Sequence, residues 1–247
     1  MNFTNKNIVI TGGSTGIGLA TAQAFINAGA SVWITGRSAD NLKKAAEKID
    51  NVRLKTIVSD TSNLAGIEVL EKVIAETGDK IDVLYLNAGV AKFAAIADAT
   101  EADFDAQFNT NVKGAFFTLQ KMIPHLSDGA SVLFTSSTNA SSSMINGSIY
   151  AASKGALNKI AQTAANELAD RNIRVNIVTP GPTQTSGLEN VVHGDAKEVF
   201  SKSIALQRLA APEEIAKVVL FLASDNASFI TAAELKVDGG LINYALK

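Results

Sequence analysis

Tyr150 and Lys154 stand four residues apart in the segment Ile149-Tyr-Ala-Ala-Ser-Lys154-Gly155, and Ser137 lies thirteen residues upstream. On a helix that spacing puts a phenol and an ammonium on one face. A phenol ionises near pH 10 and is a poor acid or base at neutrality, but a nearby ammonium stabilises the phenolate and lowers that value. A serine hydroxyl both donates and accepts, so Ser137 is suited to hold a carbonyl or alcohol oxygen while a proton moves to or from Tyr150. The three together suit carbonyl–alcohol interconversion. Taken alone, Tyr-x-x-x-Lys also fits a helix with Tyr packed and Lys solvated, so the surrounding chain has to decide.

That chemistry needs an electron carrier, and the amino-terminal segment offers a place for one. Thr11-Gly12-Gly13-Ser14-Thr15-Gly16-Ile17-Gly18 follows the first apolar run and opens the first helical stretch. Glycines let the backbone turn tightly and approach a ligand, and a helix N-terminus presents free N–H groups to a pyrophosphate. The strand–turn–helix placement reads as a dinucleotide site. A nucleotide P-loop is disfavoured because no Gly-Lys-Ser/Thr follows. About twenty residues on, a chain that reads the ribose 2′-hydroxyl would carry an acid. Here the sequence is Thr35-Gly36-Arg37-Ser38. A guanidinium fork suits phosphate oxygens, so NADP(H) is favoured, with NAD(H) left open because Arg37 could instead stack on an adenine.

These groups must be positioned by elements, and the chain alternates short apolar runs with longer helical stretches. Ile8 to Ile10, Ser31 to Thr35, Leu54 to Val58, Val83 to Leu86, Val132 to Phe134 and Val175 to Val178 read as buried parallel strands. Residues 17–28, 39–49, 63–77, 101–126, 149–169 and 212–223 carry apolar residues at three-to-four spacing and read as helices. The alternation indicates βαβ units. Residues 183–210 interrupt it, which in a compact domain suggests a lid or binding loop.

Bulk properties bound the rest. A chain of 247 residues, 47% hydrophobic and 19% charged, fits one globular domain. Zero cysteines exclude disulfide and thiolate chemistry. Net charge is −2, with no basic patch of the kind a nucleic-acid binder needs. His125 and His193 are far apart, and no metal-ligand spacing occurs. Strand-like sequence begins by Ile8, and no apolar run approaches 18 residues. The expectation is a soluble cytoplasmic protein without metal, nucleic acid or membrane partners.

With these pieces in register, the chain resembles the classical short-chain dehydrogenase/reductase family over essentially its whole length. The family's Thr-Gly-x-x-x-Gly-x-Gly turn is met by Thr11, Gly12, Gly16 and Gly18, with Ser14, Thr15 and Ile17 between them. Its adenine-contacting aspartate is met by Asp60, and its Asn-Ala-Gly motif by Asn87-Ala88-Gly89. The resemblance implies a Rossmann-like α/β fold, a doubly wound parallel sheet of about seven strands with helices on both faces. It also implies a catalytic tetrad: Asn111 holding a relay water, Ser137 positioning the carbonyl, Tyr150 as acid or base, and Lys154 binding the nicotinamide ribose while tuning Tyr150. Arg37, Ser38, the Pro180-Gly181 turn, Thr183 and Thr185 are expected to line the cofactor. A homotetramer is also implied.

The chain departs from the family pattern at Thr183, Gln207, Ala210 and Ala232, the last three standing where glycines are frequent. Candidate substrate residues are Phe93, Asn139, Met144, Ile145, Leu188 and Val192, beside Lys92, Ser143, Val191 and Leu206. This mostly apolar set suggests a hydrophobic or aryl ketone. A 3-oxoacyl carrier-protein reductase and a sugar or polyol dehydrogenase remain as alternatives, the first disfavoured by Ala91-Lys92-Phe93 where Thr-Arg-Asp is usual. A dinucleotide-binding redox sensor is the non-enzymatic alternative.

Overall fold

A computed structural model describes residues 1–189 and 196–243 of the chain; Val191, Val192 and His193 lie outside the described residues. Strands β1 (Asn7–Thr11), β2 (Ser31–Gly36), β3 (Leu54–Val58), β4 (Ile81–Leu86), β5 (Leu126–Thr135), β6 (Arg174–Pro180) and β7 (Glu234–Val237) form one parallel sheet in the order β3-β2-β1-β4-β5-β6-β7. The continuous apolar run of β1 follows from covering both faces of the sheet. Ile8 and Ile10 pack with α1 (Gly16–Asn27), α2 (Ala39–Ile49) and α9 (Pro212–Ala223), while Val9 packs with α3 (Leu64–Thr77), α5 (Ala115–Met122) and α6 (Ser148–Glu167). Each such fully buried side chain contributes roughly 1.5–3 kcal/mol, and the alternation assigns neighbouring residues of one strand to different helix layers.

Helix starts carry their own signals. The Ser38 hydroxyl caps α2 by accepting from the Asn41 N–H, and Asn63 caps α3 from the Gly66 N–H. Thr100 and Asp103 close a reciprocal capping box on α4 (Glu101–Phe108). The single helix expected over 101–126 is not continuous. After α4 the chain makes a π turn over Asn109–Gly114, resumes as α5, and passes through a 3-10 turn at Ile123–His125 into β5. The break has a tertiary cause. Gly114 runs so close to Thr61 that an added Cβ would lie 2.4 Å from its carbonyl oxygen, and the Asn111 amide is drawn towards residue 90 and Ser153.

The segment expected as a lid contains α7 (Ser186–Glu189) and α8 (Ala196–Ser203). Its two ends are clipped together where Gln184 N–H donates to the Ala210 carbonyl (2.8 Å) and Ala210 N–H to the Pro182 carbonyl (3.0 Å).

Three arginines hold helix ends at the amino edge of the sheet. Arg53 Nη2 donates to the Ile26 carbonyl at the end of α1 (3.0 Å). Arg171 donates to the carbonyls of Ile123 (2.9 Å) and Leu126 (2.6 Å) just past α5. Arg174 donates to those of Leu222 (2.7 Å) and Ser224 (3.2 Å) at the end of α9. Helix C-termini carry partial negative charge and unpaired carbonyls, so cations gather at this edge. The opposite edge, where the helices begin, holds the residues singled out by motif.

Candidate active site

Strand order reverses direction between β1 and β4, and the register pairs Thr11 with Leu86 at their carboxyl ends. The glycine turn therefore meets Asn87-Ala88-Gly89 across the crevice that such a reversal opens. Thr11 Oγ1 accepts from the N–H groups of Asn87 (3.0 Å) and Ala88 (3.1 Å), and Asn87 Nδ2 donates to the carbonyls of Thr11 (3.2 Å) and Gly12 (3.0 Å). Gly12 has φ +64° and lies so close that a Cβ would sit 2.8 Å from Ala88 Cα. A Cβ on Gly18 would lie 2.2 Å from the Gly12 carbonyl oxygen. These contacts leave α1 to begin at Thr15 without a side-chain cap, unlike α2, α3 and α4. Its first N–H groups are thus suited to an anionic group held above the turn.

The other residues expected to line a cofactor are placed as follows. Thr185 is on its far side, since a Cβ on Gly16 would lie 3.1 Å from Thr185 Cγ2. Ser14 lies beside Gly36 at the end of β2. Arg37 is exposed and makes no hydrogen bond or ion pair with the described residues. Ser38 is engaged in capping α2. Asp60 follows β3 and accepts from the Ser62 N–H (3.0 Å). Gly181 donates to the Val237 carbonyl (3.0 Å), and the buried Thr183 turns its hydroxyl onto the Gly181 carbonyl (2.9 Å).

Two of the four residues expected to form a tetrad, Asn111 and Lys154, meet beside Gly89. A Cβ placed there would be 3.3 Å from both Asn111 Oδ1 and Lys154 Nζ. Lys154, 3% exposed, donates from Nζ to the Thr135 carbonyl (2.9 Å), and its nitrogen stands 5.8 Å from the centre of the Tyr150 ring. The Thr135 hydroxyl in turn lies 2.7 Å from the Tyr85 hydroxyl and 3.1 Å from Asn87 Oδ1, which links the lysine to the glycine turn. Tyr85 is fully buried, and burial raises its phenol.

Electrostatics at Tyr150 differ from the sequence expectation. Burial raises its phenol above the ordinary value of 10.0, a hydrogen bond with the Ser137 side chain opposes that rise, and burial also lowers Lys154 from 10.5 to about 8. The desolvation of both groups outweighs the mutual stabilisation inferred from their spacing.

Substrate candidates divide by location. The Phe93 ring stands edge-on to Tyr150, with ring centres 5.7 Å apart. Asn139 follows Ser137, gives its N–H to the Ser137 hydroxyl (3.2 Å), and directs Nδ2 at the Met144 sulfur (3.9 Å). Ile145 is 88% exposed and projects outward. Leu188 donates its N–H to Oγ1 of Thr185 (3.2 Å), the residue beside the glycine turn. Val192 lies outside the described residues.

Sequence reasoning missed Thr135, Ser153, Asp103 and Gln107. Asn111 Nδ2 bonds Ser153 Oγ (3.0 Å), and Asp103 pairs with the Lys92 ammonium. Only the four-residue steps 103, 107 and 111 could have signalled a shared helix face. His125 bonds Glu71 (3.1 Å), apart from this cluster. Among the described residues no His, Asp and Glu cluster is arranged to hold a metal, and no helix is long and apolar enough to cross a membrane.

Comparison with known proteins gives the same picture. A family model described as Enoyl-(Acyl carrier protein) reductase matches residues 12–242. The chain is 38% identical over 251 residues to a 3-oxoacyl carrier-protein reductase of Thermotoga maritima, covering 98% of this chain and 100% of that one. It is 36% identical over 248 residues to L-xylulose reductase of Caenorhabditis elegans, covering 98% of each. A short-chain dehydrogenase of Burkholderia cenocepacia solved in complex with NADP superposes with a TM-score of 0.91 at 31% identity, covering 98% of this chain and 100% of that one. A 3-ketoacyl carrier-protein reductase of Brucella melitensis complexed with NADH does so with a TM-score of 0.90 at 30% identity, covering 97% and 99%.

Proposed function

Because the chain belongs to the classical short-chain dehydrogenase/reductase family, and so is an NAD(P)-dependent oxidoreductase acting on CH–OH groups, we propose that it reduces a hydrophobic or aryl ketone to a secondary alcohol and runs in reverse as an alcohol dehydrogenase. The observation that carries this reading is Phe93 standing edge-on to Tyr150, an apolar wall beside the proposed proton donor. When bound, the reduced nicotinamide supplies the hydride. Tyr150 gives its proton to the ketone oxygen, which Ser137 holds by a hydrogen bond. Lys154, as an ammonium, stabilises the phenolate left behind and binds the ribose. Asn111, expected to hold a relay water, also has its side-chain amide engaged with residue 90 and Ser153, so beside that role we assign it the positioning of the backbone next to Lys154.

The uncapped start of α1 and the residues Gly12, Ser14, Thr15, Gly16, Ile17 and Gly18 would hold the pyrophosphate. Asp60 would border the adenine, and Asn87, Ala88, Gly89, Pro180, Gly181, Thr183 and Thr185 the nicotinamide half. Arg37, exposed and without a partner among the described residues, supports NADP(H) over NAD(H), beside Ser38. The whole chain acts as one catalytic domain, with residues 183–210 as its lid and the cytoplasm as its place. Phe104 and Phe116 are 46% and 43% exposed, with Phe108 and Val112 between them at four-residue steps. That apolar stripe supports self-association towards the homotetramer, read directly as a mass near four times 25.8 kDa by light scattering.

The 38% identity to a 3-oxoacyl carrier-protein reductase favours that activity as the second reading. Rates of NADPH and NADH oxidation with aryl ketones, 3-oxoacyl thioesters and sugars separate the two. Aryl ketones are expected to be the best substrates, with Tyr150→Phe abolishing turnover while cofactor affinity is retained. Arg37→Ala is expected to raise KM for NADPH alone. Turnover of thioesters only would replace the first reading with the second, and activity retained by Tyr150→Phe would remove Tyr150 from the chemistry.

A further inference from the structure

Residues 90–93 continue from Asn87-Ala88-Gly89 without helix or strand structure of their own, so their backbone depends on side chains for partners. One helical face supplies them at four-residue steps. Asn111 Oδ1 accepts the Val90 N–H (2.8 Å) and its Nδ2 donates to the Val90 carbonyl (2.9 Å), the pair of bonds a neighbouring strand would make. Gln107, 1% exposed, accepts the Lys92 N–H on Oε1 (3.2 Å) and donates Nε2 to the Asp103 carbonyl (3.2 Å). Asp103 holds the Lys92 ammonium while closing the α4 capping box. The next residue is Phe93, edge-on to Tyr150, and the segment is pinned again where Ala94 N–H donates to the Asn146 carbonyl (2.9 Å).

We propose that Gln107 and Asp103 are positioning residues for substrate selection: through Lys92 they hold the 90–93 backbone as a rail, fixing Phe93 as a rigid wall that admits flat aryl ketones and disfavours puckered ketones of similar volume. The inference rests on the ketone-reductase reading for its substrate and on hydrogen bonds alone for the rail. The Lys92–Asp103 pair is solvent-exposed on the lysine side, so its stabilising contribution is small and its effect is geometric. Displacements of about 1 Å at a reacting centre change rates by about a hundredfold, so a rail that slackens by a fraction of that distance alters discrimination without unfolding the protein.

Two experiments test this. In the first, KM and kcat are measured for phenyl methyl ketone and cyclohexyl methyl ketone with Lys92→Met, Lys92→Arg, Phe93→Ala and the double variant Lys92→Met/Phe93→Ala. Lys92→Met is expected to lose about tenfold of the preference for the phenyl ketone, mostly in KM, with Lys92→Arg restoring it and no further change in the Phe93→Ala background. Equal losses on both ketones, or an effect that persists without Phe93, overturns the proposal. The second needs no substrate. Amide hydrogen exchange in Gln107→Met is expected to accelerate about tenfold over residues 90–94 while β1 stays unchanged, and unchanged exchange at 90–94 overturns the rail. If the unaltered enzyme reduces neither ketone, the ketone reading fails, and the exchange result still decides the rail.

Discussion

Lys154 links the chemistry to a pH dependence that can be measured without any substrate. Burial brings its folded-state value to about 8, below the 10.5 of an exposed lysine. Between those two values the unfolded chain keeps a proton that the folded chain has lost, so stability rises with pH through this window. The size of the effect is about 3 kcal/mol for the full shift. Urea unfolding of the unaltered protein and of Lys154→Met, followed from pH 7 to 10.5, is expected to show this rise in the first and its absence in the second. Identical profiles would mean that the ammonium is solvated. The same burial raises Tyr150, so the phenol stays protonated across neutral pH, the state a reductase needs in its acid. Spacing told us that the two groups meet. It could not tell us how dry the meeting place is, because that depends on Thr135 and Gly89, which come from β5 and the loop after β4.

Among the elements, the missing glycines have a consequence for stability. Ala232 adopts φ +58° and Gln207 φ +56°, a region where a Cβ costs roughly 1–2 kcal/mol. Ala232 is held there because its N–H donates to the Val175 carbonyl (2.7 Å). Ala232→Gly is therefore expected to stabilise the protein by up to about 1 kcal/mol, read as a higher urea midpoint, against the usual sign for that substitution. Gln207→Gly is expected to gain less, since the Gln207 amide donates to the carbonyls of Ile204 (2.7 Å) and Lys202 (3.1 Å) at the end of α8. Both positions were legible as departures from a glycine pattern; the reason for the pattern became visible with the backbone angles. Strands β1, β2, β4 and β6 were legible as well, because apolar runs buried on both sides leave an unambiguous trace; β3 forms where expected, but as an edge strand with Ile57 alone buried, not as the doubly covered strand its position in the alternation suggested. The break at Asn109–Gly114 was not. Its causes are Asn111 reaching residue 90 and Ser153, and Gly114 abutting Thr61, contacts between residues that periodicity treats as unrelated. Lys92 was named for the pocket, yet its partner Asp103 lies on another element and left no local signal.

Over the whole molecule, motif residues cluster at the carboxyl ends of the strands and the arginine clamps at the amino ends. Arg174→Met is expected to lower unfolding free energy by about 2–3 kcal/mol, because carbonyls at the end of α9 lose charge-assisted partners. For a chain of this size that corresponds to roughly 5–10 °C in Tm, with KM for cofactor and substrate unchanged. A KM shift would mean that the two edges communicate. The strands between them are four to ten residues long, and at about 3.3 Å per residue they separate the edges by more than the 7–10 Å beyond which substitution effects usually add. The arginine clamps therefore do more than close helix ends. By anchoring the fold far from the crevice they leave the loops around it free to vary, so a lineage can exchange one substrate for another, residue by residue, while the foundation on which every trial stands goes unaltered.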